Sequence, residues 1–368
     1  MRQAACGTTV ALMQPMTFRE TADTARGDAR RRSHGRSWTQ ALASDGRTAG
    51  PAARPAQPAE LHAAAALGID GVGDVRATIR PQAEAADRRG VPMEGAHISP
   101  QDTLPTLMAA RARVPLVSGD LVGGARPMTA VEAARLMGVG LRSAAWQAAE
   151  RRFSEQRLWE VVADAVDAHH VRAMWHNAEE MAEAAGWQLR GRTLRYAGSH
   201  VGALDTILMG GRTMGFPIVC RALAEWDGER MASAGDAYLV PEERRFGDVW
   251  ALASTFQEAL DVASITPSCK LLSSAMRGDV TLRRQEAWAQ LESDLLAFER
   301  LVLNCMPTVI FVEESAGLYT HNRELYDWVQ ERLSRWPYEW RHSDVDAATL
   351  GASHRRRRLL WVGVLRRG

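Results

Sequence analysis

Cys269 stands in the stretch Ile265-Thr-Pro-Ser-Cys-Lys270, directly after an apolar, strand-like run. A thiol on a loop leaving a strand suits a covalent nucleophile, because partial exposure and nearby arginines lower its pKa. A small buried core cysteine is the other use of the same residue. Glu313 closes the apolar run Val309-Ile-Phe-Val312, so its carboxyl belongs at a strand end, where it either works as an acid or meets solvent. The four arginines 355–358 precede a last apolar run, Leu359 to Val364. Arg356 and Arg358 therefore share one face as the chain enters the domain. A glycine turn, Tyr196-Ala-Gly-Ser-His-Val-Gly-Ala203, is followed by an acid after the next strand-like run, Glu225. Such a turn lets backbone approach a ligand while the acid holds a ribose diol. By itself this pattern is common, and its weight comes from the company it keeps.

These groups need elements to hold them. Alternating runs predict a strand at 193–197, the glycine turn at 198–202, a helix to about 210, and a strand at 216–222. A strand at 260–265, a helix around 284–304, a strand at 308–313, a helix over 321–334 and a last strand at 359–364 follow. Strands alternating with helices indicate an α/β fold with a parallel, doubly wound sheet and ligands at the strands' carboxyl ends. Upstream, Thr129 with Glu132 three residues on is a capping box for a helix, and a second helical stretch runs from Glu155 to Trp175. Residues 1–60 are rich in Arg, Ala, Gly, Ser and Pro without periodicity, the composition of a disordered arm.

Composition narrows the classes further. With 45 basic against 44 acidic residues the chain is no polycation, so any nucleic-acid surface must be built by local clustering. Lys270 is its lysine and arginine supplies the remaining basic residues, a bias that fits a GC-rich genome. Cys6, Cys220, Cys269 and Cys305 form no C-x-x-C pair and have no histidine at zinc spacing, which predicts no metal site and no disulfide framework. No apolar run approaches the roughly 18 residues of a membrane span, and no signal peptide is recognisable. A cytoplasmic, monomeric protein with no membrane partner is the expectation.

Taken in order, Tyr196-Ala-Gly, Ala224-Glu-Trp-Asp227, Phe246-Gly-Asp248, Pro267-Ser-Cys-Lys270, Pro307-Thr-Val-Ile-Phe-Val-Glu-Glu-Ser315 and Gly351-Ala-Ser-His-Arg-Arg-Arg-Arg358 resemble the motifs of the cytosine-5 DNA methyltransferase family. Arg126-Pro-Met-Thr-Ala-Val-Glu-Ala-Ala-Arg-Leu-Met-Gly138 is similar to a helix that in this family follows the recognition region. Ala163-Asp-Ala-Val166 looks like a degraded form of the family's final helix. Both lie upstream of the glycine turn, so the resemblance implies a circular permutation. The corresponding segments are an arm (1–60), a target-recognition segment (61–125), permuted helices completing the core (126–190) and a catalytic cofactor-binding core (191–368).

The resemblance implies a Rossmann-like S-adenosylmethionine-dependent sheet with helices on both faces, acting on double-stranded DNA. Cys269 would add to carbon 6 of a flipped cytosine, Glu313 would hold the ring, and Arg356 and Arg358 would bind the base oxygen and the backbone. For the cofactor, Glu225 would hold the ribose, Trp226 the adenine ring and Asp248 the adenine amino group. Tyr196, Ala197, Gly198 and Gly202 would run along the methionine moiety, with Pro267 beside them. Lys270, Arg277 and Arg355 would contact nucleic acid, Leu271 to Gly278 would clamp the gap left by the base, and Thr129, Glu132 and Arg135 would brace the catalytic loop.

The match departs from the family pattern at Ser268, Lys270, Glu314, Ser315 and His354, where the family has proline, glutamine, asparagine, valine and glutamine. Those departures keep open an inactive DNA-binding relative, and the short recognition segment keeps open an RNA cytosine substrate. Glu313 and Glu314, adjacent on a strand, are expected to face opposite sides and couple little.

Overall fold

The computed structural model describes residues 80–81, 115–118, 125–127, 129–267, 280–352 and 354–367. Cys269, Lys270, Arg277 and the stretch Leu271 to Gly278 lie outside them, as do the arm and most of the recognition segment. Three short strands, β1 (Arg80–Pro81), β2 (Pro115–Ser118) and β3 (Ala125–Pro127), pair antiparallel as a small separate sheet.

Four helices come next: α1 (Ala130–Leu136), α2 (Ala144–Arg152), α3 (Glu155–Asp164) and α4 (Ala168–Ala184). The capping box forms as predicted. Thr129 Oγ1 accepts from the Glu132 N–H at 3.2 Å, and Glu132 Oε2 accepts from the Thr129 N–H at 2.8 Å. The helix predicted from Glu155 to Trp175 is two helices. Ala165 is extended at ψ 150, and Asp167 caps α4 by accepting from the His169 N–H at 2.7 Å. A short polar side chain that satisfies the first turn's free N–H groups outweighs helix continuity there.

The main sheet has seven strands: β4 (Leu194–Ser199), β5 (Ile218–Ala224), β6 (Arg245–Phe246), β7 (Val262–Ile265), β8 (Val309–Ser315), β9 (Tyr338–Asp346) and β10 (Arg357–Leu365). Their order is β6-β5-β4-β7-β8-β10-β9. The first five are parallel, as the alternation predicts. The last strand is not. β10 lies between β8 and β9 and runs antiparallel to both, so the wholly parallel sheet is corrected to a mixed one. β9 stands outside the predicted alternation because its burial alternates irregularly and it carries Arg341, His342 and Asp344.

The remaining helices are α5 (Thr206–Thr213), α6 (Gly228–Ala237), α7 (Val249–Thr255), α8 (Val280–Cys305), α9 (Gly317–His321) and α10 (Arg323–Ser334). Helices cover both faces, making the sheet Rossmann-like. α1 to α6 pack one core with Tyr196, Phe311 and Leu360, while α7, α8 and α10 pack the other with Ala197, Ile310 and Trp361. β8 is buried along its whole length, as a strand covered on both faces must be. On the first face Trp175 stacks on Phe216 at 4.7 Å and donates from Nε1 to the Ile207 carbonyl at 2.9 Å, joining α4 to α5.

Candidate active site

Between β4 and β7 the strand order reverses, and a pocket opens there at the carboxyl ends of β4, β5, β7 and β8. Open α/β sheets bind ligands at such a switch point, because the loops leaving neighbouring strands diverge and leave a crevice. The turn after β4 forms one wall. Gly198 is required by closeness, since a Cβ there would come within 2.5 Å of Val201 Cγ1. Gly202 is required by its φ of +60, and nothing lies within 4 Å of where its Cβ would point. His200 (φ 55) and Asp205 (φ 38) also adopt left-handed backbone in this turn, a conformation non-glycine residues enter at a cost of about 1 kcal/mol or more.

Glu225 follows β5 and is 4% exposed. Its Oε2 accepts from the Gly202 N–H at 2.9 Å and its Oε1 from the Asp227 N–H at 3.1 Å, so one carboxylate ties the turn to the start of α6. Beside it Trp226 is 62% exposed and lines the pocket, which removes the alternative of a core tryptophan. From β7, Ser264, Thr266 and buried Pro267 line the opposite side. The Thr266 hydroxyl donates to the His200 carbonyl at 2.7 Å, stitching the turn to the segment that leads toward Cys269.

Two charged side chains complete the floor. Arg358 Nε lies 2.7 Å from Glu313 Oε1, both are buried, and both line the pocket. The antiparallel register sets Arg358 opposite Ser315 and Leu360 opposite Glu313, so the arginine comes from the neighbouring strand to meet the acid. A pair this enclosed needs both partners, since a lone buried charge costs several kcal/mol. Arg356 shares the buried side with Arg358, as alternation predicts, but it is not brought to the pocket. Its Nη2 donates to the carbonyls of Ala163 and Ala165 at 2.9 and 2.8 Å, holding the end of α3. Arg355 is exposed. Asp248 is exposed too; its carboxylate accepts from the Ala251 N–H at 2.7 Å as the cap of α7, and it does not line the pocket.

Other groups in and around the pocket were not assigned a role from the sequence, although the Ala163–Val166 motif and Tyr196 were singled out there. Asp164, Ala165 and Val166 from the upstream helices line the pocket, and Asp164 binds Arg230 at 2.8 Å. Behind the turn, the Tyr196 hydroxyl donates to Asp205 Oδ1 at 2.9 Å and lies 2.5 Å from Ser264 Oγ. Burial pushes the Asp205 carboxyl up to about 7. Asp167 meets three imidazoles, His169 Nδ1 and His354 Nε2 at 3.1 Å and His170 Nδ1 at 3.9 Å. Burial would raise its pKa, but the hydrogen bond from His169 and the His354 imidazole beside it hold the carboxyl well below the usual carboxylate range. No spacing rule joins Asp167 to His354 in the sequence. Glu314 corrects the expectation of negligible coupling. It is buried with Glu313, and burial first, then the Glu313 charge, pushes it up to about 8. Facing opposite sides of a strand does not isolate two carboxyls when little solvent separates them.

Among the described residues no group of three or more His, Cys, Asp or Glu could hold a metal, and no helix is long and apolar enough to cross a membrane. No protein-family model matches the sequence, and no curated protein matches it. Solved structures do match in part. The S. pombe Dnmt2 methyltransferase is 12% identical, with 48% of this chain and 51% of that one covered and a TM-score of 0.35. A putative DNA modification methyltransferase encoded within an E. coli prophage is 16% identical, with 47% of each chain covered and a TM-score of 0.30. A putative RNA methyltransferase from Pyrococcus horikoshii is 12% identical, with 52% of this chain and 85% of that one covered and a TM-score of 0.29. The chain spans about half the length of the first two. Likeness this slight carries no argument about substrate or chemistry.

Proposed function

We propose that the protein is an S-adenosylmethionine-dependent methyltransferase that modifies carbon 5 of cytosine in double-stranded DNA. The observation that carries this reading is the convergence of Glu313, Arg358, Glu225, Trp226 and Pro267, drawn from four separate motifs, on one pocket at the switch point. The chain's own groups fit an adenosyl ligand. Trp226 offers an exposed ring face, Glu225 offers a carboxylate held by backbone N–H groups, and the turn at Gly202 leaves open space where a side chain would stand. When bound, S-adenosylmethionine supplies an electrophilic methyl group on a sulfonium.

Carbon 5 of cytosine is a weak nucleophile until a thiolate adds to carbon 6. Cys269, four residues past the end of β7, would make that bond. Glu313 would hold the ring nitrogen and exocyclic amine, with Arg358 keeping its carboxyl in place at 2.7 Å. Carbon 5, once it has taken the methyl group, gives up its proton to solvent, and the electron pair of that C–H bond expels the thiolate from carbon 6 and restores the aromatic ring. The target base must leave the duplex to reach such a pocket. Lys270, Arg277 and Arg355 are the basic groups assigned to nucleic acid, and residues 61–125 are assigned to target recognition. Within this reading, Arg356 and the helices of 126–190 complete the core by holding β10 and closing one wall.

Purified protein incubated with S-adenosylmethionine and duplex DNA containing 5-fluorocytosine should give a protein–DNA adduct that survives denaturation, because fluorine blocks the elimination. The adduct should vanish in Cys269→Ser. An adduct that persists in that variant would remove Cys269 as nucleophile, and adduct formation on RNA alone would move the substrate from DNA to RNA.

A further inference from the structure

His200 breaks a local rule: it occupies left-handed backbone at φ 55 in the turn that lines the pocket, where a glycine would sit without strain. Three contacts hold it there. Its N–H donates to the Ala224 carbonyl at 2.8 Å, its carbonyl accepts from Thr266 Oγ1 at 2.7 Å, and its Nε2 lies 3.2 Å from Asp294 Oδ1. Asp294 reaches this point from the middle of α8, with its side chain 7% exposed. Gln290, one turn earlier, donates to both Asp294 oxygens at 3.0 Å. The imidazole thus stands between the pocket and a buried, oriented carboxylate.

Of the other carboxylates lining the pocket, Glu313 faces Arg358, Asp164 faces Arg230, Glu225 accepts from two peptide N–H groups, and Asp205, whose carboxyl burial pushes up to about 7, accepts from the Tyr196 hydroxyl and the Leu208 N–H. We propose that the His200–Asp294 pair makes the pocket charge-selective, favouring a cationic ligand over the same ligand without its charge. The proposal rests on the methyl-donor reading, and it deepens it: S-adenosylmethionine carries a sulfonium that its product S-adenosylhomocysteine lacks. Asp294 is the anionic member of the pair, and taking away its charge makes this wall of the pocket more positive. His200 and Asp294 are positioning and specificity residues in this scheme; neither reacts.

The test is calorimetric titration of the full chain with S-adenosylmethionine and, separately, with S-adenosylhomocysteine. In Asp294→Asn the preference for the charged ligand over the neutral one should fall about fivefold, the order of effect one unit charge exerts across a partly buried site. The neutral ligand serves as the internal measure of pocket integrity, which a merely structural defect would lower equally for both. Because Asp294 is buried, Gln290→Lys is the second variant: it alters an exposed position and sets a positive charge beside the carboxylate. It should move the ratio the same way. An unchanged ratio in Gln290→Lys, with the neutral ligand still bound, would overturn the charge-selective role while leaving the donor reading intact. Failure of the parent protein to bind either ligand would overturn the donor reading itself.

Discussion

Glu314 gives a quantitative test of the electrostatics at the end of β8. The side chain is 2% exposed, Oε1 accepts from the Ser315 N–H at 2.6 Å, and Oε2 has no hydrogen-bond partner. Burial and the neighbouring Glu313 charge raise its pKa from 4.5 to about 8. In the unfolded chain it ionises at the ordinary value, so raising the pH above 4.5 favours the unfolded state until the folded group ionises near 8. Each pH unit in that window contributes about 1.4 kcal/mol. At pH 7 the native state therefore bears a penalty of roughly 3 kcal/mol that is absent at pH 4.5 and below. Glu314→Gln keeps the acceptor for Ser315 and removes the titration. Urea unfolding of parent and variant at pH 5, 6, 7 and 8 should show a stability gain for the variant of under about 1 kcal/mol at pH 5, rising to roughly 2–3 kcal/mol at pH 7 and flattening above pH 8. A gain that is independent of pH, or largest at pH 5, would refute the account of Glu314 as a buried carboxyl forced toward its neutral form.

Three further outcomes follow from packing and pairing. Arg358→Met should destabilise the protein by about 3 kcal/mol in denaturant titration, because it leaves Glu313 buried without its cation, and adduct formation should fall with it. Trp175→Ala should cost about 3–5 kcal/mol, since the ring stacks on Phe216, meets Phe311 edge-on and donates to Ile207. Thr129→Ala should cost about 1 kcal/mol of thermal stability through the lost cap of α1, with binding of the neutral nucleoside ligand unchanged.

Much of the sheet could be read from the sequence because a strand buried on both faces announces itself as an unbroken apolar run, and β7, β8 and β10 do so. The glycine turn and the acid after β5 were legible for the same reason, since each closes an apolar segment, whereas β8 runs two residues past Glu313 to Ser315 because buried Glu314 and Ser315 continue the pairing with β10. What escaped depends on tertiary register. The antiparallel insertion of β10 is decided by pairing with β9, whose mixed residues carry no period-two signal. Arg356 and Arg358 read as equivalent from alternation, yet one meets Glu313 and the other meets carbonyls at the end of α3. Likewise Asp167 with His354, Asp164 with Arg230 and His200 with Asp294 join residues far apart in sequence, and only the assembled core puts them within reach.

The grip of Arg356 on the carbonyls of Ala163 and Ala165 spans 193 and 191 residues of chain. The wall of the pocket and the strand that completes its floor are thus made at widely separated moments of synthesis. The four helices that begin at Ala130 leave the ribosome long before β10, and until β10 pairs with β8 there is no Arg358 to meet Glu313. Contacts of such separation are slow to form, because a long loop must close before any of them contributes. During synthesis the scaffold therefore precedes the site: a chain made as far as β9, with most of its secondary structure available, would still lack the Glu313–Arg358 pair.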